Sequence, residues 1–522
     1  MERRNDWRIL AGLTLFVTVL LFFVSQDSYI YDFFDRVDSA WFFMCGKAWM
    51  KGLVPYVDFA DSKGPVLWLI YGLGYLLDHT SYAGVYWISC LWYGLIYFIT
   101  FKIARLFLKD DRKALVCTLL MSFAYFNTWF HKEVRAEDFC MLFLVLSLYR
   151  VCRLMYAGPA EDREIRRTSG ILGACFGVLL LIKFNIAAMQ AAFILSVLWV
   201  LIREKKKLWG PLLSGLGGFA AVTVPFVVYF LIQGNFSAFL VEYFVRTTQT
   251  VNNPSFLNWV KEFLLEWSDL CRADIGAWLL LLFLGGLAFA QKEKGPYRWM
   301  PLAVSLFFFV VTMRHHRVGW ILYYFNSCSF LLIFLVIFVV RELGSLSGRP
   351  EPKAVVPVTA AVTFVLVSVF NFFALTNHVF AFGDAYGREV YYKVNYVMSQ
   401  VKSPTLINAY LVEQGYGMPS EVLPAGKYWV EQGGMTPRMM REHEQLILSG
   451  KADFILAPYP LISEDGRITW EQLLESGYKE LFRTDYLVLL TKWDNLDVNG
   501  YVPPSYTDVL LRRLPFLKVL SR

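Results

Sequence analysis

Five aspartates, Asp32, Asp35, Asp38, Asp58 and Asp61, punctuate a segment otherwise rich in aromatic and aliphatic residues, DFFDRVDSAWFFMCGKAWMKGLVPYVDFADSKGP. Charges set among lipid-seeking side chains are costly, which makes each a candidate for function. Asp38, just ahead of Ser39, could take a proton from an attacking hydroxyl as a general base, or could cap the helix that Ser39 opens. Asp35 stands three residues earlier on the same helical face and is the alternative base. The two do not make an Asp-x-Asp pair, and the eight cysteines show no paired ligand spacing. Neither a metal nor a cofactor is therefore expected. Among the cations, Lys63 could hold an anionic group or snorkel to headgroups. The cluster Arg314-His315-His316-Arg317 could grip a phosphate or lipid headgroups, and its adjacent histidines are a weak metal signal. Arg135 and Glu137 read either as an ion pair ordering a loop or as polar contacts to a substrate. Lys183 reads as a turn-locating charge or a functional one, and Tyr323 and Tyr324 as interfacial aromatics.

The elements that must position these residues follow from composition. Of 522 residues, 57% are hydrophobic and only 18% charged, against about 25% charged in an ordinary soluble domain, which argues against a soluble enzyme. The net charge of +7 could hint at nucleic acid. Because the Lys and Arg sit in short clusters between apolar blocks, membrane orientation explains it better, and no nucleic-acid partner is expected. Blocks apolar enough to span run at 9–25, 84–107, 114–130, 139–156, 169–182, 186–202, 211–232, 274–290, 299–313, 319–340 and 355–376. The first lacks a small-residue cleavage site at Phe22-Phe23-Val24-Ser25-Gln26 and reads as a retained helix. Gly64 to Leu77 is short and bounded by Lys63 and Asp78, so it suits an interfacial helix, as does Ser39 to Met50.

With eleven spans, the segments on the N-terminal side of the membrane carry about twice as many Lys and Arg as those opposite, tail excluded. The expectation is an all-α polytopic membrane protein in the plasma membrane, with the N-terminus cytoplasmic and the C-terminus outside. Residues 1–376 would form the membrane domain. Residues 377–522, with β-like runs at 405–409, 452–457 and 485–490 and a helix at 438–448, would form a small extracytoplasmic α/β domain.

Asp38-Ser39-Ala40-Trp41, Gly52-Leu53-Val54-Pro55-Tyr56-Val57-Asp58 and Lys63-Gly64-Pro65 together resemble the first outer loop of the C-type (GT-C) membrane glycosyltransferases. The likeness is to the family 39-like branch of protein-mannosyltransferase and aminoarabinose-transferase relatives. His131-Lys132-Glu133-Val134-Arg135-Ala136-Glu137-Asp138 is similar to a second motif of that family. The resemblance implies transfer of a sugar from a polyprenyl-phosphate donor in membrane lipid to an acceptor of unspecified kind on the outer face. Asp38, Asp35 and Glu137 would be the catalytic candidates. Lys63, Tyr56, Asp58, Arg135, Arg314, His315 and Arg317 would bind substrate or phosphate. The competing readings are a lipid-linked saccharide flippase and a non-catalytic, envelope-binding relative. A flippase usually shows related halves and midplane ionisable residues, and the sequence shows neither clearly.

Overall fold

The computed structural model describes residues 3–29, 31, 37–127, 133–246, 258, 261, 265, 275–315, 322–347, 354–374, 385–409, 415–431, 435–459, 468–502 and 505. The helices are α1 (Arg3–Val24), α2 (Val37–Met50), α3 (Pro65–Leu77), α4 (Ala83–Leu108), α5 (Asp111–Leu120), α6 (Ser122–Tyr125), α7 (Ala136–Tyr156), α8 (Asp162–Ile182), α9 (Phe184–Ala187), α10 (Gln190–Arg203), α11 (Trp209–Ile232) and α12 (Phe236–Phe239). Then follow α13 (Ile275–Lys292), α14 (Met300–His315), α15 (Ile333–Ser347), α16 (Val355–Val369), α17 (Ala385–Ser399), α18 (Pro437–Leu448) and α19 (Trp470–Glu475).

Among the described residues, eight helices are long and apolar enough to cross a membrane: α1, α4, α7, α8, α9 with α10, α11, Tyr324–Ser345 and Val355–Phe373. The three other expected spans fall on α5 with α6, on α13 and on α14, the last two of 18 and 16 residues. The 114–130 block breaks at Met121 into α5 and α6, where the Tyr97 hydroxyl reaches Ser122 Oγ at 2.7 Å and Tyr125 pairs with Thr100.

The chain falls into two compact units. One comprises Met1–Ser25, Ser89–Val228 and Asn252–Leu375, and the other Gln26–Ile88, Tyr229–Val251 and Thr376–Arg522. One junction lies beside the expected 376/377 boundary, but the second unit also takes in residues 26–88 and 229–251.

In the first unit α7 is the enclosed element. Its most apolar window is 72% buried, against 6% for α11, whose leucines and valines face outward as lipid-facing side chains do. Helix α7 packs on α8, α10 and the 3₁₀ segment Leu322–Leu332.

In the second unit α2 and α3 lie against each other over most of their lengths. Gly46 and Gly72 permit this, since a Cβ on Gly46 would run into the backbone of Gly72 and the Trp68 carbonyl. At 14 and 13 residues both are too short to span a core of about 30 Å. The same unit holds a five-stranded sheet of β1 (Thr405–Asn408), β2 (Leu423–Pro424), β3 (Phe454–Pro458), β4 (Lys479–Arg483) and β5 (Leu487–Thr491). Its order is β2-β1-β3-β5-β4, with β1 parallel to β2 and β3, and β5 antiparallel to β3 and β4. Ile407, Ile455, Val488 and Leu490 pack beneath Ile447 of α18 and Leu473 of α19.

Candidate functional site

Helix α2 begins at Val37, so Asp38 stands inside its first turn, half-buried, where the helix dipole favours a carboxylate, rather than at the cap position. Phe42 and Cys45 follow at one-turn spacings and continue the same face. That face meets the loop before α3. The Lys63 ammonium lies 5.4 Å from the centre of the Phe42 ring and reaches Ser62 Oγ at 3.5 Å. Burial first and the Asp61 carboxylate second push the Cys45 thiol up, while Lys63 opposes them, so both loop charges lie within electrostatic reach of α2.

Tyr56 fixes this loop. It has no exposed surface, and its φ of +66° is a left-handed conformation that side chains seldom adopt. Such a residue costs roughly 1–3 kcal/mol unless its surroundings hold it. Here Trp68, Phe239 and Phe230 enclose the ring at 4.8, 5.4 and 5.7 Å, its N–H donates to the Phe59 carbonyl at 2.7 Å, and its hydroxyl donates to the Lys63 carbonyl at 2.9 Å. Asp58 accepts the Val54 N–H at 2.7 Å and closes the turn. In the structure Tyr56 and Asp58 shape the loop that presents Lys63.

Asp61 is marked by the sequence as one of five candidate aspartates without being given a specific role. It is 1% exposed; one carboxylate oxygen accepts from Ser62, and the other is buried with no protein partner. A buried carboxylate left half unsatisfied is costly, and its position two residues before Lys63 makes it part of the site. The signal available in the sequence was an acid two residues before a lysine at the start of an apolar helix.

Arg135 and Glu137 belong to the first unit, and they do not pair with each other. Arg135 Nε donates to Glu133 at 2.6 Å, and its N–H caps α7 through Asp138 at 2.9 Å. Glu137, 2% exposed, makes a buried ion pair with Lys183, whose ammonium lies 4.0 Å from the centre of the Tyr324 ring. Asp138 accepts from the Tyr93 hydroxyl and from Asn326 at 2.9 Å. Lys183 is thus a partner in a buried network rather than a surface turn charge. Removing one member of such a pair strands a buried charge at a cost of about 3–5 kcal/mol.

Asp35 and Arg317 lie outside the described residues, as do the side chains of Arg314 and His315, whose backbone closes α14. The structure brings Asp38, Tyr56, Asp58, Asp61 and Lys63 into one unit and leaves Arg135 and Glu137 in the other.

A bundle of long apolar helices, two short helices between α1 and α4 and a terminal α/β sheet make up the fold. Residues 62–229 match the family model described as dolichyl-phosphate-mannose-protein mannosyltransferase. No curated protein sequence matches the chain. Among solved structures, ArnT from Cupriavidus metallidurans bound to undecaprenyl phosphate has a similar fold, with a TM-score of 0.61 at 13% identity over 95% of this chain and 100% of that one. Its apo state gives 0.59 at 13% identity over 94% and 99%. The chain is an integral membrane protein with this fold.

Proposed function

We propose that the protein transfers a sugar from a polyprenyl-phosphate donor to an acceptor hydroxyl on the outer face of the membrane. The observation that carries this reading is the face of α2 on which Asp38 stands one turn from Phe42, with the Lys63 ammonium against that ring. Asp38 takes the proton of the acceptor hydroxyl as its oxygen attacks the anomeric carbon. The bond from that carbon to the phosphate oxygen breaks, and Lys63 stabilises the charge gathering on the departing polyprenyl phosphate. The family description and the likeness to a protein solved with undecaprenyl phosphate support a lipid-phosphate donor. In this reading the N-terminus is cytoplasmic, the membrane is the plasma membrane, and residues 377–522 are extracytoplasmic.

Transfer from purified polyprenyl-phosphate sugars, followed by mass spectrometry of the products, tests the proposal. Asp38→Asn is expected to lower turnover by roughly 10²–10⁴ while donor binding persists. Undiminished turnover in that variant removes Asp38 from the role.

A further inference from the structure

Helix α12 leads into a π-helical turn, Leu240–Val245, an irregularity common at functional sites. Within the apolar run FLVEYFV this turn buries one acid, Glu242. One of its oxygens accepts the Tyr428 hydroxyl at 2.8 Å and pairs with Lys427, which is 30% exposed and lies over the Tyr428 ring. The other oxygen is buried and has no protein partner. The group adjoins the loop that presents Lys63. The Ala60 N–H donates to the Lys427 carbonyl at 3.0 Å, and Glu242 is among the charges acting on the Tyr56 hydroxyl.

A strut between two segments would use the acid fully. This one is held firmly through one oxygen while the second is left as an acceptor, in a unit whose candidate substrates carry many hydroxyls. Hydroxyl donors are the chemistry that such an oxygen selects, and leaving it unmatched is costly.

We infer that the unpartnered oxygen of Glu242 receives a sugar hydroxyl, with Tyr428 and Lys427 orienting the carboxylate. This rests on the proposed transfer reaction and deepens it. The hydroxyl belongs either to the donor's sugar or to a saccharide acceptor, and binding experiments on the full-length protein separate the two. The probes are a polyprenyl-phosphate hexose, bare polyprenyl phosphate and a panel of free neutral tetrasaccharides.

Glu242→Gln keeps an acceptor for the Tyr428 hydroxyl but removes the charge. It is expected to weaken binding of the sugar-bearing lipid by about 10-fold or more while leaving binding of bare polyprenyl phosphate unchanged, if the sugar is the donor's. If it is the acceptor's, the same loss appears only with a tetrasaccharide. Tyr428→Phe, which removes a single oxygen, should give a smaller loss of the same selectivity. Unchanged affinity for both sugar-bearing probes overturns the inference. So does loss of bare lipid along with sugar in both variants, which marks a structural strut. Failure of the wild type to bind bare polyprenyl phosphate would instead refute the donor reading, and the tetrasaccharide arm would still test Glu242.

Discussion

Lys47 has no exposed surface, and carbonyls rather than a carboxylate receive its ammonium: Gly417 at 3.0 Å, Met418 at 3.5 Å and Ser420. Burial, only partly opposed by Glu421, pulls it down to about 7. Between that value and the ordinary lysine range near 10.5, the unfolded chain carries a proton that the folded chain has shed. Stability therefore climbs with pH across this window and is lost as pH falls toward 7, with a slope of at most about 1.4 kcal/mol per pH unit. Lys47→Met keeps the packed stem and removes the titration, so its melting temperature in detergent should vary less between pH 7 and 10 than that of the wild type. Parallel slopes would show that Lys47 keeps its proton on folding. No local pattern reveals this residue, because its partners lie some 370 positions away. The same holds for Glu242 with Lys427 and Glu137 with Lys183. Sequence shows that such charges are expensive, but the choice among distant partners is made by the tertiary fold.

At the scale of elements, legibility tracks burial. Helix α3 is readable because Pro65 opens it, Asp78 ends it and everything between is apolar. The strands β3 and β5 are nearly continuous apolar runs, as strands covered on both faces are. The strand β4, Lys-Glu-Leu-Phe-Arg at the sheet edge, is half polar, and β2 has only two residues, so neither stood out. The α2–α3 contact was equally hidden, since nothing in the sequence says that Gly46 faces Gly72. That contact matters because α2 carries Asp38 and α3 follows Lys63. Gly46→Ala must push the helices apart, at a cost of about 1–3 kcal/mol. In the proposed reaction, a shift near 1 Å between Asp38 and Lys63 lowers turnover by as much as about 10². Gly12 of α1, with nothing within 4 Å of a Cβ, provides the control. Gly12→Ala should leave melting temperature and turnover alone, and equal behaviour of the two variants would count against the tight α2–α3 contact.

For the whole molecule, the question is how eight long apolar helices and several short ones thread one bilayer. With the N-terminus in the cytoplasm, as proposed, crossing by the eight alone would place the Lys205-Lys206-Lys207 run after α10 outside. It would also put Arg163, Arg166 and Arg167 outside. If the short pieces 114–130, α13 and α14 also cross, both basic stretches return to the cytoplasm. Short helices can achieve this by local thinning of the bilayer, at fractions of a kcal/mol per Å of mismatch. Moving several arginines and lysines to the wrong side is the larger cost, so the eleven-crossing arrangement is favoured. Two fusions to a reporter active only outside the cytoplasm decide between them. After Lys207 the reporter should be silent and after Thr376 active. The eight-crossing arrangement predicts the reverse at both sites, as does a spanning α3, and that pattern would place Asp38 and Lys63 on a different side from the last segment of their own unit.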